Sequence, residues 1–125
     1  MKALTKAERE SVRAMFDGRC AYCGVDLPQR WHVDHVEAVF RDWYGKTGKA
    51  FREDNHRLDN MMPSCPPCNI NKGPLSLESW RKEISHHLQT LNNNRSTYRI
   101  VKSFGLLIET GAPVRFHFET VTEKP

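Results

Sequence analysis

No run of this 125-residue sequence approaches the ~20 consecutive apolar residues that a membrane-spanning helix needs. The opening MKALTKAERE sets charges where a signal peptide would carry its apolar stretch. The expectation is a soluble chain working in the cytoplasm. Internal repeats and low-complexity tracts are also missing, and no shift of composition marks a second domain. One domain spanning residues 1–125 is expected, with a single modest core that could use extra fastening. A strong charge imbalance is absent as well: 19 Lys plus Arg stand against 15 Asp plus Glu, a net +4 with a pI near 9.0. That mild excess favours an anionic partner such as nucleic acid without establishing one.

Cysteine is scarce, and its placement is the most informative feature of the chain. The four cysteines fall as Cys20-x-x-Cys23 and Cys65-x-x-Cys68, each pair beside Gly, Pro or Asn, residues that permit tight turns. Two turns that each present two thiolates build a tetrahedral zinc site. Two disulfides would not be kept oxidised in the cytosol, and a redox CxxC needs a thioredoxin-like strand and helix that this sequence does not offer. With four thiolates the zinc has no open position for a substrate, so Zn²⁺ here is architecture.

Thr5-Lys-Ala-Glu8 reads as a capping box opening a helix over residues 5–16, stopped at Asp17-Gly18. The stretch Arg30-Trp-His-Val-Asp-His-Val36 is rich in aromatic and β-branched residues with Trp31 and Val33 alternating, which predicts a strand with His32 and Asp34 on its polar side. Residues 40–60 read as a long cationic loop around Gly45-Lys-Thr-Gly-Lys49, tied down by the knuckles on both sides. Leu77, Trp80, Ile84, Leu88 and Leu91 recur at three- and four-residue steps, predicting a helix over 76–91 that packs on the core. The tail, residues 96–120, reads as a short helix followed by an alternating strand, Val114-Arg-Phe-His-Phe118.

Hydrolysis of a phosphodiester needs an activated water, neutralised charge on the phosphate and help for the departing oxygen. A base and one hard cation supply all three. His35 suits the base, because imidazole titrates near neutral pH. Asp34, on the opposite face of the same strand, offers the carboxylate oxygen that Mg²⁺ or Mn²⁺ prefers. In order along the chain come CxxC, then Asp34-His35, then Asn60-x-x-x-x-CxxCNxxKG.

On those residues, 20–73, the sequence resembles the HNH nuclease family in its four-cysteine, zinc-braced form, and the tail has a weaker similarity to the ends of small bacterial and phage HNH proteins. The resemblance implies an α+β fold: a ββα-metal core braced by a four-cysteine structural zinc, with flanking helices. It implies a metal-dependent DNA endonuclease that nicks one strand per site. The last signature position, a second metal ligand that is often histidine, is Asn69 here, which makes the chain an HNN variant. By the same resemblance Asn60 orients the base across the two-stranded ribbon, and Lys72, a turn along the helix from Asn69, meets a phosphate. Lys46 and Lys49 of the loop are expected to contact DNA.

Each residue also has a plainer role: an Asp-His pair on a solvated strand edge, Asn60 in a turn before β-structure, Asn69 as a helix cap after the knuckle. His86 and His87 read as helix surface and His117 as a strand face, while the parts of His32 and His56 stay open. The competing functional reading is a zinc-stapled nucleic-acid-binding module without turnover, which the neutral Asn69 would suit. No recognition domain is visible, so a protein partner is expected to supply specificity.

Overall fold

The computed structural model describes residues 2–39 and 53–122. By their contacts the residues divide into two compact units, one running to Leu77 and resuming at Phe116, the other Glu78–Arg115. Among the described residues no helix is long and apolar enough to cross a membrane.

The first unit opens with α1, Lys6–Ala14. Its start is fixed by the reciprocal capping box: Glu8 N donates to Thr5 Oγ1 at 3.1 Å and Thr5 N to Glu8 Oε1 at 2.9 Å. The helix stops two residues earlier than its sequence pattern, where Asp17 (φ 55°) and Gly18 (φ 78°) turn the chain through left-handed backbone. Arg9 fastens this helix, its guanidinium 4.2 Å above the Trp31 ring and its Nη2 donating to the Trp31 carbonyl at 2.6 Å.

The first cysteine knuckle is a narrow hairpin. Arg19 bridges Asp26, Cys20 N donates to Val25 O at 2.8 Å, and Gly24 N returns to Cys20 O at 3.0 Å. Gly24 turns here with φ 81°, and a Cβ on it would stand 3.1 Å from His117 Nδ1, so any side chain would be strained there and glycine is favoured. Strands β1 (His32–His35) and β2 (Met61–Ser64) pair antiparallel, with Asp34 opposite Met62 and His35 opposite Met61. Pro63 lacks a donor but uses its carbonyl: Ala21 N reaches it at 2.9 Å, joining knuckle one to the ribbon. Helix α2 (Pro66–Lys72) follows at once, with Cys65 as its N-cap and a proline at its first position, where the missing N–H costs nothing. This β1–β2–α2 order is the ββα core expected from the sequence.

Apart from the cysteines, the buried apolar set among the described residues of this unit is small: Val12, Ala21, Tyr22, Leu27, Trp31, Met61 and Phe116. At about 1.5–3 kcal/mol per large side chain, before chain entropy is subtracted, such a core is thin. A metal staple answers that need.

The tail corrects one expectation. Val114–Phe118 alternates like a strand, yet the structure forms helix α5 at His117–Thr122 (α3 and α4 lie in the second unit, below). The peptide N–H groups of His117 and Phe118 donate to Tyr22 O and Ala21 O at 2.9 and 2.8 Å, and Phe116 N donates to Glu119 Oε1 at 2.8 Å. Successive donors aimed at one neighbour belong to a helix N-terminus, whereas a strand would alternate them. Phe116 and Phe118 both meet the Tyr22 ring edge-on, at centroid distances of 5.7 and 6.3 Å.

From Glu78 on, the second unit contains α3, Leu77–Asn94, which runs three residues past its predicted end at 91, and α4, Ser96–Ser103. Glu109 folds the following segment back, accepting from Asn92 Nδ2 and Tyr98 Oη at 2.9 Å and pairing with Lys102 Nζ at 3.1 Å.

Candidate functional site

Two sites sit on the ββα core. The first is the cysteine cluster, whose four Sγ atoms lie within 4.8 Å of one another. Cys23 and Cys65, from different knuckles, approach to 3.7 Å. Zinc at about 2.3 Å from each sulfur in a tetrahedron requires sulfurs about 3.8 Å apart, so the donor set fits that ion. The electrostatics agree. A hydrogen bond shared with Cys68 pulls the Cys20 thiol down to about 4, and the same bond pushes Cys68 up, while burial raises Cys65. Four close sulfurs cannot all ionise alone; a cation lets them. The cluster is consistent with zinc bracing, for which Cys20, Cys23, Cys65 and Cys68 would be the ligands.

The second site is a cleft of about 310 Å³ whose lining includes His32, Asp34 and His35 of β1 and Asn69 of α2. Asp34 is buried and its two oxygens are used differently. Oδ2 accepts from Tyr22 Oη at 2.5 Å and pairs with Lys72 Nζ at 3.2 Å. Among the described residues Oδ1 accepts no hydrogen bond and no buried side-chain oxygen is left unsatisfied, so Oδ1 is open to the cleft that Asp34 lines. Burial raises the Asp34 carboxyl above the usual range, against the downward pull of Lys72 and Tyr22. Burial and the Asp34 charge in turn push the Tyr22 phenol up, keeping it a donor. Asn69 is half-buried in the interior of α2, and its side-chain amide makes no hydrogen bond among the described residues.

His35 lines both this cleft and a neighbouring one of about 500 Å³. Its Nε2 lies 2.9 Å from His56 Nδ1, and His56 Nε2 lies 2.6 Å from the Lys2 carbonyl. Asn60 is buried and fully occupied: Oδ1 accepts from Glu37 N at 2.9 Å, and Nδ2 donates to Glu37 O at 2.9 Å and Asn55 O at 2.7 Å.

The HNH endonuclease family model matches residues 20–75, from the first knuckle to the end of α2 and just beyond. That segment is similar to HNH endonuclease domains. HNH proteins as a family are nucleases that act on DNA with a divalent metal, and the segment holds both sites above. No curated protein and no solved structure matches the chain significantly.

Within the HNH segment the structure brings Asp34, His35 and Asn69 to one cleft, as their order in the sequence implied. It rearranges three other assignments. Lys72 is not at the surface to meet a phosphate: it is wholly buried, its Nζ held by Asp34 and by His35 O at 3.1 Å. The Asn60 side chain makes no hydrogen bond to the His35 ring among the described residues; it clamps the backbone at Glu37, two residues past His35, and at Asn55, next to His56. Asn69 is not a cap, since Cys65 holds that position. Lys46 and Lys49 lie outside the described residues. His56 was left open by the sequence and stands against the ring of His35; its only signal there was a place four residues before Asn60, on the approach to the strand that pairs with β1.

Proposed function

We propose that this chain is a metal-dependent DNA endonuclease that hydrolyses phosphodiester bonds, cutting one strand per site. The observation that carries the reading is the shared cleft, lined by Asp34, His35 and Asn69 within the segment that matches the HNH family, where Asp34 Oδ1 and the Asn69 amide make no hydrogen bond among the described residues. Asp34 Oδ1 and the Asn69 amide oxygen would hold one hard divalent ion, Mg²⁺ or Mn²⁺, because both are oxygen donors and one carries charge. When bound, that ion neutralises phosphate charge and eases departure of the 3′ oxygen.

The protein's own groups do the rest. His35 takes the proton of the attacking water as general base. Lys72 and Tyr22 hold Asp34 through Oδ2, so that Oδ1 keeps one direction into the cleft. Asn60 fixes the chain on both sides of the base, at Glu37 and at Asn55. The zinc knuckles set the register of β1 against α2.

A second reading has one observation in its favour. Asp34 already satisfies Lys72 and Tyr22, as a purely structural carboxylate would, which suits a zinc-braced DNA-binding module without turnover. Supercoiled plasmid incubated with the purified protein in Mg²⁺, Mn²⁺ or EDTA separates the two. Nicked product that depends on metal and vanishes in His35→Ala, with zinc content unchanged, is the expected result. Binding without cleavage in every metal would overturn the nuclease reading, and nicking by His35→Ala at the parent rate would remove His35 as the base.

A further inference from the structure

Two imidazoles meet at the edge of the cleft, and their protons can be assigned. The rings of His35 and His56 lie 5.1 Å apart between centroids, with Nε2 of the first 2.9 Å from Nδ1 of the second. His56 Nε2 faces the Lys2 carbonyl oxygen at 2.6 Å. A carbonyl only accepts, so His56 carries a proton on Nε2. A neutral imidazole has a single N–H, so His56 Nδ1 offers a lone pair. The proton between the rings therefore belongs to His35 Nε2, and the lone pair of neutral His35 falls on Nδ1. Were His56 doubly protonated, its Nδ1 would donate instead and occupy the Nε2 lone pair of His35.

The placement of His56 is itself held. Asn60 Nδ2 donates to the carbonyl of Asn55, the residue before it, at 2.7 Å. This gives the buried asparagine a path to the base that does not require it to touch the ring. His35 lines both clefts, and its Nε2 edge is the one engaged by His56 in the larger.

We propose that His56 is a positioning residue for the general base: with the Lys2 carbonyl it holds His35 in the tautomer whose lone pair is on Nδ1, and that nitrogen activates the attacking water. The inference rests on His35 being the base of the proposed nuclease. In the step itself, Nδ1 takes one proton from water while the water oxygen forms the new bond to phosphorus. The bond from phosphorus to the 3′ oxygen breaks, and that oxygen leaves with the electron pair and gains a proton from solvent. His35 becomes an imidazolium whose Nε2–H still donates to His56, so the new charge forms against a lone pair already in place.

The test uses the full zinc-loaded chain and three variants, His56→Ala, His56→Asn and His35→Ala, each checked for one zinc per chain and an unchanged circular dichroism spectrum. Asparagine places its Oδ1 near the position of Nδ1 and can accept the same hydrogen bond. Long-range ¹H–¹⁵N spectra of the His35 ring above its titration should show the Nε2–H tautomer in the parent and in His56→Asn, and a mixture in His56→Ala. Plasmid nicking at saturating DNA should fall about 10- to 100-fold in His56→Ala, the usual scale for losing a group that orients a reacting one. The half-saturating DNA concentration should stay put, and His56→Asn should recover most of the loss. An Nδ1–H tautomer in the parent, parent-rate nicking by His56→Ala, or equal losses in Ala and Asn would each overturn the proposal. Parent-rate nicking by His35→Ala would overturn both this inference and the base assignment beneath it. A normal loss in His35→Ala beside an active His56→Ala removes only the role of His56.

Discussion

Lys72→Met tests the strongest departure from the sequence reading. The ammonium is fully buried, 3.2 Å from Asp34 Oδ2 and 3.1 Å from the His35 carbonyl. Methionine keeps the stem's volume and removes the charge, leaving a buried carboxylate whose remaining hydrogen-bond donor among the described residues is Tyr22. Losing one member of a buried pair costs about 3–5 kcal/mol. Against a total of about 5–15 kcal/mol for a domain this is a large share. In urea, at an m-value of about 2 kcal/mol per molar, the midpoint should drop by roughly 2 M.

The deficit should also depend on pH with a definite sign. Burial raises the Asp34 carboxyl already, and removal of Lys72 raises it further, so the folded variant binds a proton more readily than the unfolded chain. Its deficit is then largest above the folded pKa and shrinks as pH falls through that value. The double variant Asp34→Asn/Lys72→Met should be more stable than the sum of the single losses, with a coupling of about 0.5–3 kcal/mol. Urea unfolding by circular dichroism, with zinc present and no other divalent metal added, measures all of this. Had Lys72 been a surface phosphate contact, stability would move by no more than about 0.5 kcal/mol. The slope of DNA affinity against salt would instead fall by about one unit. That pair of results would refute the buried-pair argument.

Cys65→Ser should lose zinc and unfold or loosen the first unit, since metal binding there is folding free energy; a soluble, zinc-loaded serine variant with parent stability would speak against the four-sulfur site. Asn69→Ala should raise the Mg²⁺ or Mn²⁺ concentration at half-maximal nicking with zinc content unchanged, and because the residue is inside α2 rather than capping it, stability should hold or rise by about 0.5 kcal/mol. An unmoved metal titration would leave Asp34 as the sole protein ligand. Tyr22→Phe should cost about 1.5–3 kcal/mol, the scale of a hydrogen bond to a charged group, and leave the zinc in place; an unfolding midpoint equal to the parent's would show that the phenol does not hold Asp34.

What was legible in the sequence was what depends on neighbours in the chain. The zinc ligands could be read because a CxxC turn presents both sulfurs by itself, and α1 because the Thr5–Glu8 box is complete within four residues. The Asp34, His35 and Asn69 grouping could be read only through the family order of motifs, as nothing local states that β1 and α2 share a cleft. Lys72 was misread because lysine is almost never fully buried, and what reverses that rule is a carboxylate 38 positions away in the chain. The tail strand was misread because Val114–Phe118 satisfies a period of two, while the acceptors that draw its N–H groups into a helix are carbonyls of the distant first knuckle. Asn60 was recognised as important, but its partners are backbone groups, which carry no signature in a sequence.

The two sites are joined through one phenol. Tyr22 stands between Cys20 and Cys23, so its backbone is fixed by the knuckle that zinc closes. Phe116 and Phe118 hold its ring edge-on, and their helix is tied to the Ala21 and Tyr22 carbonyls. Its hydroxyl then ends on Asp34 Oδ2. A zinc bound there would restrain a cleft carboxylate without touching it, through covalent turn, aromatic packing and a single hydrogen bond. This explains why both the tail and the first knuckle belong to the same unit as β1 and α2. It also bears on the double demand that the proposed function places on Asp34, which is buried and paired and would also bind a metal. The burden of position falls on Oδ2, where Lys72 and Tyr22 converge, and Oδ1 is left to the cleft. A carboxylate held by one oxygen cannot swing away when its other oxygen is asked to bind, and a weak amide ligand, the role proposed for Asn69, is best used beside a partner already in place.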